Sequence, residues 1–215
     1  MAVELPLFPL NAVLFPHMRM PLHIFEERYR TMLHDCRDAG TTFGIVGIRE
    51  GLEVGGPAVP HAVGTLAQIH AIEDLPDGRY NLDIEGASRF RVIAFSLRHS
   101  YLTGTIRYLQ DVATPLDDAA ALAARVSAAF AQYTQTMRTL GVDIDAALIP
   151  DEPERLSYVV AAALRIENAR RQELLEIDST AMRLRRILEL LRREALLLHE
   201  MSQADEGKRR AAALN

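Results

Sequence analysis

Few side chains in these 215 residues are equipped for covalent or acid–base chemistry: one cysteine, seven histidines and a single lysine, Lys208. A Ser–Lys dyad needs its lysine in a dry pocket where the pKa can fall. Lys208 instead lies in the tail DEGKRRAAALN, which reads as disordered. The glycine-rich stretch GLEVGGP lacks the terminal Lys-Ser/Thr of a phosphate loop, and no GxSxG elbow occurs. The histidines, at 17, 23, 34, 61, 70, 99 and 199, form no HExxH and no tight pair on one expected face. A triad drawn from distant positions is defined by geometry and leaves no mark in spacing. His70 reads as a packed or surface strand residue, and His23 as a helper at the start of the next helix. Cys36 with His34 nearby is too little for zinc, and one cysteine forms no internal disulfide. The expectation is a chain that is not an enzyme and takes no metal or cofactor.

What remains is apolar contact. The run LPLFPLNAVLFPHMRMPLHIFEERYRTML (5–33) is greasy and broken by Pro6, Pro9, Pro16 and Pro21. Pro6 and Pro9 suit a strand at the sheet rim, with Leu5, Leu7, Leu10, Val13 and Leu14 in the core. FPHMRMPLHIF reads as a loop stiffened by Pro16 and Pro21, with Met18 and Met20 toward one side. Thioethers on unbranched chains adapt to irregular partners, so Phe15, Met18, Met20 and Leu22 form the candidate polypeptide-binding patch. Glu26 is expected to pair with Arg89 or Arg91 and clamp the first helix to the sheet, because those arginines alternate with large apolar neighbours in SRFRV.

The elements that must position these residues change character along the chain. Residues 1–112 show short apolar runs with turn punctuation: TFGIVGI, AVGTLAQIHAIEDL, RYNLDIEG, SRFRVIAFSL and YLTGTIRYL. One helix interrupts them, IFEERYRTMLHDCRDAG, with Gly40 as its stop. Asp77-Gly78 in LPDGRY marks a hairpin. Regular short strands suggest a small antiparallel barrel that hides its edges. From Pro115 the period becomes helical, and residues 113–204 read as a bundle: DDAAALAARVSAAFAQYTQTMRTL, then PERLSYVVAAALRI behind Asp151, then ARRQELLEI, then STAMRLRRILELLRREALLLHEM. Residues 205–215 complete the chain as a disordered tail. Arg183, Arg185, Arg186, Arg192 and Arg193 read as a solvated stripe on the last helix, supported by Glu189 four residues from Arg185 and from Arg193.

A net charge of −5, with each half mildly acidic, argues against a broad phosphate-binding surface and so against nucleic acid. The N-terminus has no basic region before its apolar stretch, and YVVAAAL is too short to span a bilayer. No membrane partner and a cytoplasmic location follow as expectations; no oligomeric state follows from the pattern.

The opening run resembles the first motif of the Lon N-terminal, substrate-binding domain family, above all in PLHIFEERYRTML. GTLAQI, LPDGRYNLDIEGASRFRV, LSYVVAAAL, RQELLE and the last helix continue the likeness in register, from about Val3 to Met201. Glu27 departs from the proline often found there; both suit a first helical turn. The resemblance implies an α+β fold, a small PUA-like barrel with a helical bundle, in a stand-alone member without the ATPase and protease modules of Lon. It also implies contact with unfolded or extended polypeptides, acting as an adaptor or recognition module, with a separate protease or chaperone as a further partner. Two other readings stay open: RNA binding by analogy with other PUA-like barrels, and a small-ligand or hydrolytic site in a groove between barrel and bundle.

Overall fold

Strand patterning in the first half closes into a barrel. The computed structural model describes the backbone of residues 3–53, 58–112, 116–144 and 149–213 and, within those ranges, the side chains of all but 116–117 and 197–213. In chain order the elements are β1 (Val3–Leu10), β2 (Arg19–Ile24), α1 (Glu27–Ala39), β3 (Gly44–Gly51), β4 (Ala58–Asp74), β5 (Tyr80–Ser96), β6 (Thr103–Tyr108), α2 (Leu116–Thr139), α3 (Pro153–Ala163), α4 (Asn168–Glu176) and α5 (Thr180–Ala213). The sheet order is β2-β5-β4-β3-β1-β6, and β6 returns to pair with β5. That last pairing removes the open edges along most of the sheet.

The barrel differs from the expected all-antiparallel one, because β1 and β3 run parallel, Leu7 opposite Gly44 through Leu10 opposite Gly47. The intervening β2 and α1 supply the long connection that a parallel pair requires. Nor does β1 lie at the rim. Its first half pairs with β6 and its second half with β3. Each half therefore has one ladder partner, and the missing N–H of Pro6 and of Pro9 is tolerated on the unpaired side. RYNLDIEG and SRFRVIAFSL, expected as two strands, are one, β5, bent at register shifts. The hairpin at Asp77-Gly78 joins β4 to β5 as its dipeptide indicates: Gly78 sits at φ 76° and its N–H donates to Leu75 O.

The sequence FPHMRMPLHIF is not a loop throughout. Residues Arg19–Ile24 form β2, paired antiparallel with β5 from Arg19–Glu85 to Ile24–Tyr80. It terminates the strand order, where Pro21 does no harm. Ahead of it, Phe15–Met18 is a tight turn pinned on Gly86: His17 N–H donates to Gly86 O at 2.7 Å and Gly86 N–H to Met18 O at 2.9 Å. A Cβ at Gly86 would overlap the Phe15 carbonyl, so this approach needs glycine.

Alternation along the strands makes two apolar layers. Leu5, Leu7, Val46, Phe90, Val92 and Ile106 fill the barrel. Phe8, Leu10, Leu22, Ile45, Leu82 and Ile84 form a second layer on the opposite side of the strands, against which α1 lays Tyr29, Met32, Leu33 and Cys36. That face is worth roughly 1.5–3 kcal/mol per fully buried large side chain. Gly40 at φ 62° ends α1 with N–H bonds back to its last turn.

The chain divides into two compact units, and the division corrects the expected domain boundaries. Residues 164–178, which contain α4, group with 1–112 and not with the bundle. The other unit consists of 113–163 and 179–215, with α2, α3 and α5 as its helices among the described residues. Its core takes Leu122, Val126, Phe130 and Tyr133 from α2, Leu156 and Val160 from α3, and Leu184, Ile187 and Leu191 from α5. Glu152, one residue after the expected Asp151, accepts the Glu154 and Arg155 N–H groups at the head of α3. Residues 205–213, expected as a disordered tail, continue α5 as helical backbone; the side chain of Lys208 lies outside the described residues.

Arg183 also departs from expectation. It is fully buried, not part of a solvated stripe. Glu189 pairs with Arg186, three residues before it, at 3.0 Å, where Arg185 and Arg193 were the expected partners.

Candidate functional site

Phe15, first of the expected polypeptide-binding residues, is wholly buried, and Leu22 is buried on the core side of β2. Both belong to the interior and leave the candidate surface. Met18 and Met20 are half-buried against the same core. The reason is α4. Its Arg171 reaches over the Phe15 ring at 5.3 Å, approaches the Met18 sulfur at 3.7 Å, and donates to the carbonyls of Leu164 at 3.2 Å and Val13 at 3.5 Å. Burial, with the charge of Arg165 second, pulls the Arg171 pKa below its ordinary value.

The expected clamp is also rearranged. Glu26 pairs locally with Arg28 at 3.0 Å, and Arg91 is exposed. Arg89 is buried and serves α4 in place of α1: it donates to Leu175 O at 2.7 Å and Ile177 O at 2.8 Å, and pairs with Asp111. A guanidinium fork thus caps the carbonyl end of α4, where positive charge is favoured. Sequence reasoning found the right arginine and the wrong helix.

His70 pairs with Glu85 across β4 and β5 at 3.0 Å, and His23 meets Asn81 at 2.8 Å without capping α1. No group of three His, Cys, Asp or Glu side chains among the described residues could hold a metal ion. No described helix is long and apolar enough to cross a membrane.

Cys36 is buried on α1, and burial pushes its thiol pKa up to about 11. Against an ordinary value of 9.0 this leaves about a hundredfold less thiolate at pH 8. A thiol-reactive dye such as DTNB should therefore label the native protein far more slowly than the urea-unfolded chain; equal rates would place Cys36 in solvent. The unfolded chain loses this proton near 9 while the folded chain holds it to about 11. The unfolded state then binds fewer protons across that window, so Cys36 lowers stability as pH rises from 9 to 11 and leaves it unchanged below. Tyr101, raised first by burial and then by its hydrogen bond to Asp35, adds a loss of the same sign at higher pH. Urea midpoints at pH 7, 9 and 10.5 test both.

The most exposed apolar group on the barrel was not singled out in the sequence. Ile93 and Phe95, near the end of β5, and Leu97, just past it, stand at alternate positions, 59%, 45% and 80% exposed, while Val92 packs inward. A register shift against β6 falls between Val92 and Ala94, so Ile93 has no direct partner in that ladder. The segment SRFRVIAFSL reads simply as a strand, with Val92, Ile93, Ala94 and Phe95 apolar in succession. The signal was present in the alternate residues Ile93, Phe95 and Leu97, but composition cannot say which side of a strand is covered.

A closed mixed barrel with helices appended is an α+β architecture, and solved structures share it. The crystal structure of a Lon N-terminal domain protein from Xanthomonas campestris superposes with a TM-score of 0.65 at 27% identity, covering 87% of this chain and 98% of that one. The N-terminal domain of Mycobacterium avium complex Lon protease superposes at 0.68 over 88% of this chain and 98% of its own, and at 18% identity attests the fold alone. The chain belongs to the family described as the ATP-dependent protease La (LON) substrate-binding domain, which matches residues 4–193. Among curated relatives, Lon protease of Xanthomonas oryzae pv. oryzae is 32% identical over 88% of this chain, and Lon protease of Escherichia coli K12 is 26% identical over 91%. The aligned part is 23% and 25% of those relatives, so the chain spans about a quarter of their length. It is a substrate-binding module by family.

Proposed function

We propose that the chain is a non-catalytic module that binds unfolded or extended polypeptide, in the manner its family description and its Lon protease relatives suggest. The observation that carries this reading is the apolar row Ile93, Phe95 and Leu97, left outside a barrel that has a complete core of its own. A folded domain gains nothing from exposing three large apolar side chains at alternate positions around the end of one strand; a partner that covers them does. Apolar contact is also tolerant of sequence, as recognition of many clients requires. Met18, beside Arg171, and Met20, both half-buried, serve as adaptable contacts for the same task.

The test is fluorescence anisotropy with labelled, reduced and carboxymethylated α-lactalbumin as a permanently unfolded probe. Replacing Ile93, Phe95 and Leu97 together by serine is expected to weaken binding at least tenfold with an unchanged urea midpoint. The Met18→Asp, Met20→Asp pair is expected to weaken it less. Undiminished binding by the serine variant would remove the row from the account, and no binding by the wild type would remove the function.

A further inference from the structure

The barrel unit carries a cleft of about 320 Å³ bounded by Leu10 and Val13, by Ile48 and Arg49 of β3, by His61 of β4 and by Gln172 of α4. It is at the small end of ligand-holding clefts, roughly 300–1,000 Å³. Gly47 lies on its floor.

Two independent features of this cleft ask for the same kind of ligand. The first is Gln172, 2% exposed. Its Nε2 donates to Val63 O at 3.0 Å and to Glu176 Oε1 at 2.8 Å. Both partners are acceptors, so the amide cannot be turned round, and the other end must be oxygen. That oxygen, Oε1, is buried and receives no hydrogen bond among the described residues. It points toward Gly47, where an added Cβ would stand 3.0 Å away. A buried amide oxygen without a donor is costly and rare in native proteins.

The second is the edge of β3. The β1–β3 ladder ends at Leu10–Gly47, but β3 continues to Gly51 with β4 alone beside it. On the β1 side of Ile48–Gly51 no strand is paired among the described residues, and Ile48 and Arg49 line the cleft. An unpaired strand edge is a template for another extended backbone. The gap is where β1 would run had it not turned away at Asn11, whose N–H goes to Glu53 and whose carbonyl accepts from Asn168.

We infer that this cleft is a strand-addition subsite. A short extended segment of polypeptide lies beside Ile48–Gly51 in the place β1 vacates. One of its main-chain N–H groups donates to Gln172 Oε1, and an apolar side chain rests on Leu10, Val13 and Ile48. The subsite reads backbone, which every client has, and so complements the apolar row on β5. It rests on the polypeptide-binding reading.

The experiment uses the full ¹⁵N-labelled chain and two capped pentapeptides of alternating valine and serine, one unmodified and one N-methylated at its central residue. The unmodified peptide is expected to shift the amides of Gly47–Gly51 and the side-chain NH₂ of Gln172. The N-methylated one should bind at least tenfold more weakly. Gly47→Ala, which presses a methyl against Oε1, should reduce affinity for the unmodified peptide about tenfold; if that variant does not fold, the two peptides on the wild type still decide. Equal binding of the two peptides, or shifts confined to other strands, overturns the subsite. If α-lactalbumin then still binds through Ile93, Phe95 and Leu97, the polypeptide-binding function stands without it; if neither probe binds, both fall.

Discussion

Arg89→Ala is expected to lower the stability of the barrel unit by about 3–5 kcal/mol, the range for cutting one end of a buried ion pair. Arg89 is 2% exposed and its partner Asp111 8%. Truncation would leave a carboxylate deprived of its guanidinium, and the Leu175 and Ile177 carbonyls deprived of the donor that caps them. Lysine keeps the charge but is a point donor that cannot reproduce a fork spanning two carbonyls and a carboxylate. Arg89→Lys should therefore recover less than half of the loss. The damage should also be local in a particular way. Because Arg89 holds the end of α4, hydrogen exchange at residues 168–177 should accelerate more than exchange on α1, the helix originally expected to be clamped. Urea unfolding followed by mass-resolved exchange measures both. A loss under 1 kcal/mol, or equal acceleration on α1, would show that the fork does not hold α4.

That contrast bears on what the sequence could convey. Helix starts in the second half fell within a residue of expectation because caps, first-turn proline and a 3.6 period are local properties, whereas α3 stops at Ala163, short of the expected Ile166, and α5 runs on to Ala213, past the expected Met201. The α1 stop at Gly40 and the turn at Gly78 are local in the same sense, fixed by backbone conformations that glycine adopts at low cost. What was hidden was non-local. The segment 164–178 has the same helical period whether it joins a bundle or a barrel; only the register slip in β4, which leaves the Val63 carbonyl to Gln172, and the fork of Arg89 decide. The candidate patch failed for a related reason. Phe15 and Met18 read as exposed on a loop until α4 contributes Arg171 to cover them. Conversely the pattern at Ile93, Phe95 and Leu97 leaves open which side is covered, since exposure depends on whether anything packs against it. Gln172, a polar residue in an unremarkable helix, carries no sequence signal at all; its importance arises from where its amide is held.

The second large effect is expected at Arg183, which the linear pattern assigned to solvent. Within the helical unit its side chain is fully buried, its Nε donating to Ser157 Oγ at 2.7 Å, its Nη2 to Thr180 Oγ1 at 3.3 Å, and its guanidinium 4.0 Å from the centre of the Tyr158 ring. Ser157 in turn donates to Glu154 O at 2.6 Å, so the hydroxyl bridges α3 to α5 only while Arg183 supplies the second bond. Arg183→Ala removes a large volume from a packed interior and leaves the Ser157 and Thr180 oxygens without those donors, at a cost of about 3 kcal/mol. Arg183→Met tests the balance within that number. Methionine restores most of the volume, can lie against the Tyr158 ring, and avoids burying a charge. If packing dominates, Met recovers about 2 of the 3 kcal/mol, and adding Ser157→Ala to it recovers part of the rest by removing a hydroxyl oxygen that has lost its Arg183 donor. If the charge and its hydrogen bonds dominate, Met is as damaging as Ala and the double variant is no better. Volume and the lost donor to the Ser157 oxygen together outweigh one cation–π contact, worth about 2 kcal/mol when desolvated. The expected order of urea midpoints is thus wild type, then the Met–Ala double variant, then Arg183→Met, then Arg183→Ala.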